Sequence, residues 1–368
     1  MRYTISVALA SLLAGPALAE VPRVVTDLPP VHSLVAQVMG DLGEPDLLLG
    51  QGADPHSFQL RPSQARALAN ADLVVWIGPE MTRWLERALE GRKGEELRLM
   101  QVAGTHLQDF GAGAAHDHAD EGHDHAGEGH DHADEGQSHG DEAHDHADED
   151  HDHAGEAHDH ADEGHSHGDE AHSPADEGHT HDGEGHDHGA HEGHSHTGLD
   201  PHAWLDPENA QLWLTAVARE LGHLDPENAA TYAANAEAAR AALAQLDRET
   251  AARLDEARNQ PFYVFHDAYG YFAGHYGLTV QGSVSAGDAA APGAAHLADL
   301  RAEMAGTPRC IFPEAQHDAK LARQIAQETG AKAGPALDPS GSTLEPGPQL
   351  YANLIRGLAD GILSCVAP

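Results

Sequence analysis

The strongest hydrophobic signal in the chain is the unbroken run Leu73-Val74-Val75-Trp76-Ile77. A stretch with no polar position on either face reads as a parallel strand covered on both sides. Strand and helix alternate around it. Residues 23–26 and 46–49 predict strands, and 31–39, 62–70 and 80–89 predict helices. Further on, Asp206-Pro207-Glu208 and Asp225-Pro226-Glu227 repeat one helix-start pattern: a capping Asp, Pro at the first helical position and an acid in the first turn. The second of these helices runs over 226–258 with no internal Gly or Pro, roughly 48 Å at about 1.5 Å per residue. Beyond it, strands are expected at 262–265, 279–282 and 309–312, with helices near 296–305 and 318–329. The expected fold is α/β: two lobes, each a mainly parallel sheet flanked by helices, joined by one long rigid helix. The lobes are expected over 20–224 and 259–368, with the joining helix over 225–258.

One stretch breaks this alternation. From His116 a seven-residue unit, HDHADEG with variations, repeats eleven times through Glu192. Its repeated positions hold His, Asp, Glu, Gly and Ala, so it lacks the two apolar positions per heptad of a coiled coil. Residues 112–197 are therefore expected to be a solvated, disordered His-rich insertion in the first lobe. The tract holds 23 of the 32 His and 27 of the 61 acidic residues, and setting it aside reduces the net charge from -41 to about -14. That balance argues against nucleic acid or an anionic membrane surface as partner and is compatible with cations.

At the N-terminus, Arg2, an apolar run over 5–13 and Ala17-Leu18-Ala19 have the pattern of a signal peptide cleaved after residue 19. An exported, periplasmic protein is expected, and no Cys follows the cleavage site to carry a lipid anchor. In an oxidising compartment, Cys310 and Cys365 are expected to pair, tying the C-terminal helix to a strand; two buried thiols are the alternative.

Three phrases each place one His beside a strand end or a helix start: Ala53-Asp54-Pro55-His56-Ser57-Phe58, Asp200-Pro201-His202-Ala203-Trp204-Leu205, and Val264-Phe265-His266-Asp267-Ala268-Tyr269. In this order, with Asn70 to Met81 between the first two, a His-rich insertion before the second and a long helix after it, they resemble the metal-binding solute-binding proteins of ABC transporters, in particular the ZnuA type. The resemblance covers nearly the whole mature chain. It implies a monomeric periplasmic protein that takes up Zn²⁺ in an interlobe cleft and delivers it to an inner-membrane permease with a cytoplasmic ATPase. It also implies the ligands: His56 and His202 from the first lobe, His266 from the second, and Asp338 or water in the fourth position. Some zinc members carry a Glu immediately before the first His, where this chain has Pro55. Three neutral imidazoles suit Zn²⁺, whereas Mn²⁺ is better served by a second carboxylate. Asp267 and Glu314 are candidate acceptors for the second ring nitrogen of a ligating imidazole. The remaining six His outside the tract, His32, His106, His223, His275, His296 and His317, are expected in surface or packing roles.

Other readings are a zinc buffer with no transporter, a Mn²⁺-binding transport protein, and a zinc hydrolase with an open fourth position. The hydrolase lacks support, because the chain has no HExxH, no GxSxG and no evident general base beside the His phrases. The protein is therefore expected not to be an enzyme.

Overall fold

In the computed structural model, residues 21–53, 55, 58–111, 198–285, 292–306 and 309–366 are described. The expected signal peptide, the His-rich tract and the expected ligand His56 lie outside the described residues.

The first sheet contains β1 (Val24–Thr26), β2 (Asp46–Leu47), β3 (Leu73–Trp76) and β4 (Glu95–Arg98), ordered β2-β1-β3-β4 with every pairing parallel. Its helices are α1 (Pro29–Met39), α2 (Pro62–Asn70) and α3 (Arg83–Leu89). The apolar run of β3 divides by parity, as a strand's alternating side chains require. Leu73, Val75 and Ile77 enter the large core on one face, and Val74 and Trp76 join Leu68, Leu85 and Leu89 on the other.

Two helices then run together, α4 (Pro207–Leu224) and α5 (Ala229–Leu254). Asp206 caps α4 by accepting the Glu208 N–H at 2.8 Å. Asp225 makes the expected capping contact, accepting the Asn228 N–H at 3.3 Å, and its carboxylate also accepts from the Asn228 side-chain amide at 2.7 Å and the Tyr232 hydroxyl at 2.9 Å. The α-helix itself begins at Ala229, three residues after Pro226.

The second sheet repeats the plan with β5 (Phe262–His266), β6 (Val280–Ser285), β7 (Cys310–Phe312) and β8 (Lys332–Ala333), ordered β6-β5-β7-β8 and again all parallel. Around it lie α6 (Gly270–Tyr276), α7 (Ala294–Met304), α8 (Lys320–Thr329) and α9 (Leu350–Val366). The short strands β4 and β8 had no apolar signature, because both are edge strands of mostly polar, exposed residues. Among the described residues no helix is long and apolar enough to cross a membrane.

One hydrophobic core serves both sheets. It runs from Val24 and Val75 through Trp213 of α4 and Leu243 of α5 to Phe262, Phe312 and Tyr351 of α9. A buried polar chain reinforces it. Ser33 on α1 donates to the Pro348 carbonyl and accepts the Tyr351 N–H, while the Tyr351 hydroxyl donates to the Trp204 carbonyl and the Trp204 indole N–H to the Pro339 carbonyl. The Cys310–Cys365 disulfide ties β7 to α9. With a separation of 55 residues, that link contributes on the order of 4 kcal/mol in the chain-entropy account.

At the end of β1, Asp27 is fully buried and accepts the N–H groups of Leu28 and Ile77. Burial pushes its carboxyl up to about 7, against the pull of those donors. The folded state therefore binds this proton more tightly than the unfolded chain, whose Asp titrates near 3.9. The associated stabilisation is complete below about pH 4 and is lost as pH rises through about 7. Urea unfolding of the wild type and Asp27→Asn between pH 4 and 8 should show the wild type losing stability relative to the variant as pH rises. Parallel profiles would show that the Asp27 carboxyl titrates alike in both states.

Candidate metal centre

The ends of the central strands and the return from the tract converge on one small pocket. At the close of β5, His266 is 4% exposed. Beside it, two residues past β7, Glu314 is 1% exposed and bridged to Leu337. Polar side chains collect at the C-terminal ends of adjacent parallel strands because the backbone diverges there and leaves a crevice. The His266 Nδ1–H donates to Glu314 Oε2 in a very short contact.

His202 reaches the same place from the other side. The chain leaves for the tract after Gly111 and returns at Gly198 through a narrow neck: Asp109 and Leu199 form an antiparallel bridge, and the Asp200 N–H donates to the Gln108 carbonyl. This neck places Asp200, whose Oδ1 accepts both the His202 backbone N–H at 3.0 Å and the ring Nδ1–H at 2.7 Å. A short 3-10 turn, Ala203–Leu205, then leads into α4.

The His202 and His266 rings lie 5.4 Å apart, centroid to centroid, and each is 4% exposed or less. With Nδ1–H given to a carboxylate, both rings are in the tautomer whose Nε2 carries the lone pair. The pocket that they line has a volume of about 10 Å³, room for about one water-sized sphere. Trp204, Met81 and Pro339 form its apolar wall. Pro55 also lines it, and its carbonyl accepts the Trp84 indole N–H at 2.9 Å. The neighbouring Ala53 carbonyl accepts from the Gln316 side chain at 3.5 Å.

Asp338, expected with water as the alternative in the fourth ligand position, holds the turn that follows it. Its Oδ1 accepts from Ser340, the Ser342 N–H and the Ser342 hydroxyl, and its Oδ2 accepts the N–H and hydroxyl of Thr343. Both oxygens are committed to this turn, and Asp338 is not among the residues lining the pocket. Of the two candidate acceptors, Glu314 takes the role on His266, while Asp267 lines a separate cavity with His296 and Glu303.

Asp200 was not anticipated, although its spacing carried a signal: a carboxylate two residues before a His can reach that residue's Nδ1. Five of the other His take the surface or packing places expected of them. His32 is buried against the Pro45 carbonyl, His106 and His275 pair with Asp206, His223 is exposed, and His296 contacts the Ser283 carbonyl. His317 differs, for it lines the pocket and stacks on Phe265 at 4.6 Å.

The family model described as zinc-uptake complex component A, periplasmic, matches residues 24–365. The high-affinity zinc uptake system protein ZnuA of Paracoccus denitrificans is 46% identical over 96% of this chain and 94% of its own. Its namesake from Haemophilus influenzae is 36% identical over 99% and 98%. Among solved structures, a ZnuA deletion mutant with zinc bound gives a TM-score of 0.63 at 21% identity, covering 94% of this chain and 99% of its own. The solute-binding protein FpvC of Pseudomonas aeruginosa, in complex with Mn²⁺, gives 0.64 at 19% identity over the same shares. At those identities the two structures show a common fold.

Asp338→Ala leaves five donors without their acceptor and should cost about 2 kcal/mol of stability in urea unfolding, on the scale of hydrogen bonds to a charged group. A variant as stable as the wild type would show that the turn holds without the carboxylate.

Proposed function

Because the chain belongs to the family of periplasmic zinc-uptake components, which matches it from residue 24 to 365, we propose that it captures Zn²⁺ between His202 and His266 and delivers it to an ABC permease driven by a cytoplasmic ATPase. The main support is geometric: two buried imidazoles, carried by different sheets' connections, face one ion-sized pocket, each with its Nδ1–H on a carboxylate. Neutral imidazole is a good Zn²⁺ ligand, and the carboxylates raise its basicity while fixing its orientation. His56 follows Pro55, which lines the pocket, and supplies the third imidazole in this reading. With Asp338 held in its own turn, water is the fourth ligand we propose. The protein works as a periplasmic monomer, exported by the leader over 1–19, and binds its ion without transforming it. In this reading the repeated His-x-His pairs bind further Zn²⁺ in sites weaker than the pocket.

His56→Ala, His202→Ala and His266→Ala should each weaken the tightest zinc site more than about a hundredfold in chelator competition. Asp200→Asn and Glu314→Gln should each weaken it by about 10 to 100-fold, the usual effect of losing a partner to a ligating His. Wild-type affinity in any of the three His variants would remove that residue from the ligand set.

Deletion of residues 112–197 should leave the tight site in place and remove several weaker zinc equivalents, counted by calorimetric titration. An unchanged number of bound ions would make the tract a spacer.

A further inference from the structure

Two further imidazoles lie close to His266. The His202 ring is 5.4 Å from it, centroid to centroid, and the His317 ring 6.1 Å at an interplanar angle of 70°. Around the second gap, a ring nitrogen of His266, a Glu314 oxygen and a nitrogen of His317 all lie within 4.8 Å of one another. Ligands of a tetrahedral Zn²⁺ stand roughly 3.3 Å apart, so small side-chain movements would close this triad on an ion.

A second observation points to a cation there. Glu314 is 1% exposed; its Oε2 accepts from His266, but its Oε1 is buried with no hydrogen-bond partner among the described residues. A carboxylate oxygen held out of water without a donor costs free energy unless something positive meets it. His317 and Glu314 both line the pocket, and His317 is only half-buried, which sets it on the solvent side of His266 and Glu314.

We propose that Glu314 and His317, sharing His266, form an outer position for a divalent cation of the zinc class, through which the ion passes on its way into and out of the inner site. An ion leaving His202 can take a nitrogen of His317 and Oε1 of Glu314 as the Nδ1–H contact to Glu314 opens and the His266 ring turns its ligating nitrogen toward them. Exchange then proceeds ligand by ligand, and at no step is the ion stripped of all its protein partners. The stack of His317 on Phe265 holds the ring ready without using its nitrogens. This inference rests on the inner site being the one between His202 and His266.

The test times zinc transfer in the full chain. The protein is loaded with zinc, treated with a weak chelator until one equivalent remains, and mixed with excess strong chelator; loading of metal-free protein is timed separately. His317→Phe keeps the ring stack and removes the ligand, and should slow loading and release together by about tenfold, a modest rise in the barrier to transfer. His317→Asp restores a ligand and should recover part of both rates. If neither rate moves in His317→Phe, there is no outer position. If release quickens while loading holds, His317 is a ligand of the inner site, and the proposal is equally overturned. His202→Ala keeps the two failures apart: a tight equivalent that survives it would locate the inner site elsewhere, whatever His317 does.

Discussion

The rings of His202 and His266 come from separate parts of the chain, and one shared hydrophobic core holds their 5.4 Å spacing. β5 brings His266 and the approach to α4 brings His202, and both rest on the same continuous packing of α4, α5, α9 and the inner faces of the two sheets. Interiors packed to crystal-like density shift little under load. The chain of bonds from Ser33 through Tyr351 and Trp204 to Pro339 crosses this core two residues from His202. Position is therefore fixed by burial, and orientation by carboxylates.

The division of labour between Asp200 and Glu314 has a physical logic. Asp200 binds a His two residues along the chain and so acts on the backbone and the ring together. Glu314 reaches across from the neighbouring strand, linking β7 to the end of β5. The disulfide anchors the start of β7 to α9, so the segment from Cys310 to Glu314 is held at both ends. Asp338 shows the opposite case, a carboxylate near the pocket whose capacity is consumed by its own turn.

Much of the fold could be read from the sequence because buried parallel strands leave a dense apolar signature, as Leu73 to Ile77 do. The edge strands β4 and β8 left none, since their side chains are largely solvated. The cap at Asp225 was legible, since it accepts the Asn228 N–H, whereas the start of α5 proper lies at Ala229, three residues after Pro226. At the site, His202 and His266 stood out through their phrases, whereas His317 did not. Its place depends on β7 lying beside β5, a long-range pairing that no local spacing encodes. The unsatisfied Oε1 of Glu314 is likewise invisible in a string of residue types.

The neck at Asp109 and Leu199 has a consequence for how this chain can change over generations. The described residues that flank the 86 of the tract, Gly111 and Gly198, adjoin that bridge. Closing a loop costs free energy that grows with the logarithm of its length, so one more seven-residue copy adds only about 0.1 kcal/mol. Repeat units can therefore be duplicated or lost by slippage of the gene with almost no penalty in stability, leaving Asp200 and His202 in place. The number of copies between Gly111 and Gly198 is thus free to drift, while the residues that line the pocket stay under separate selection.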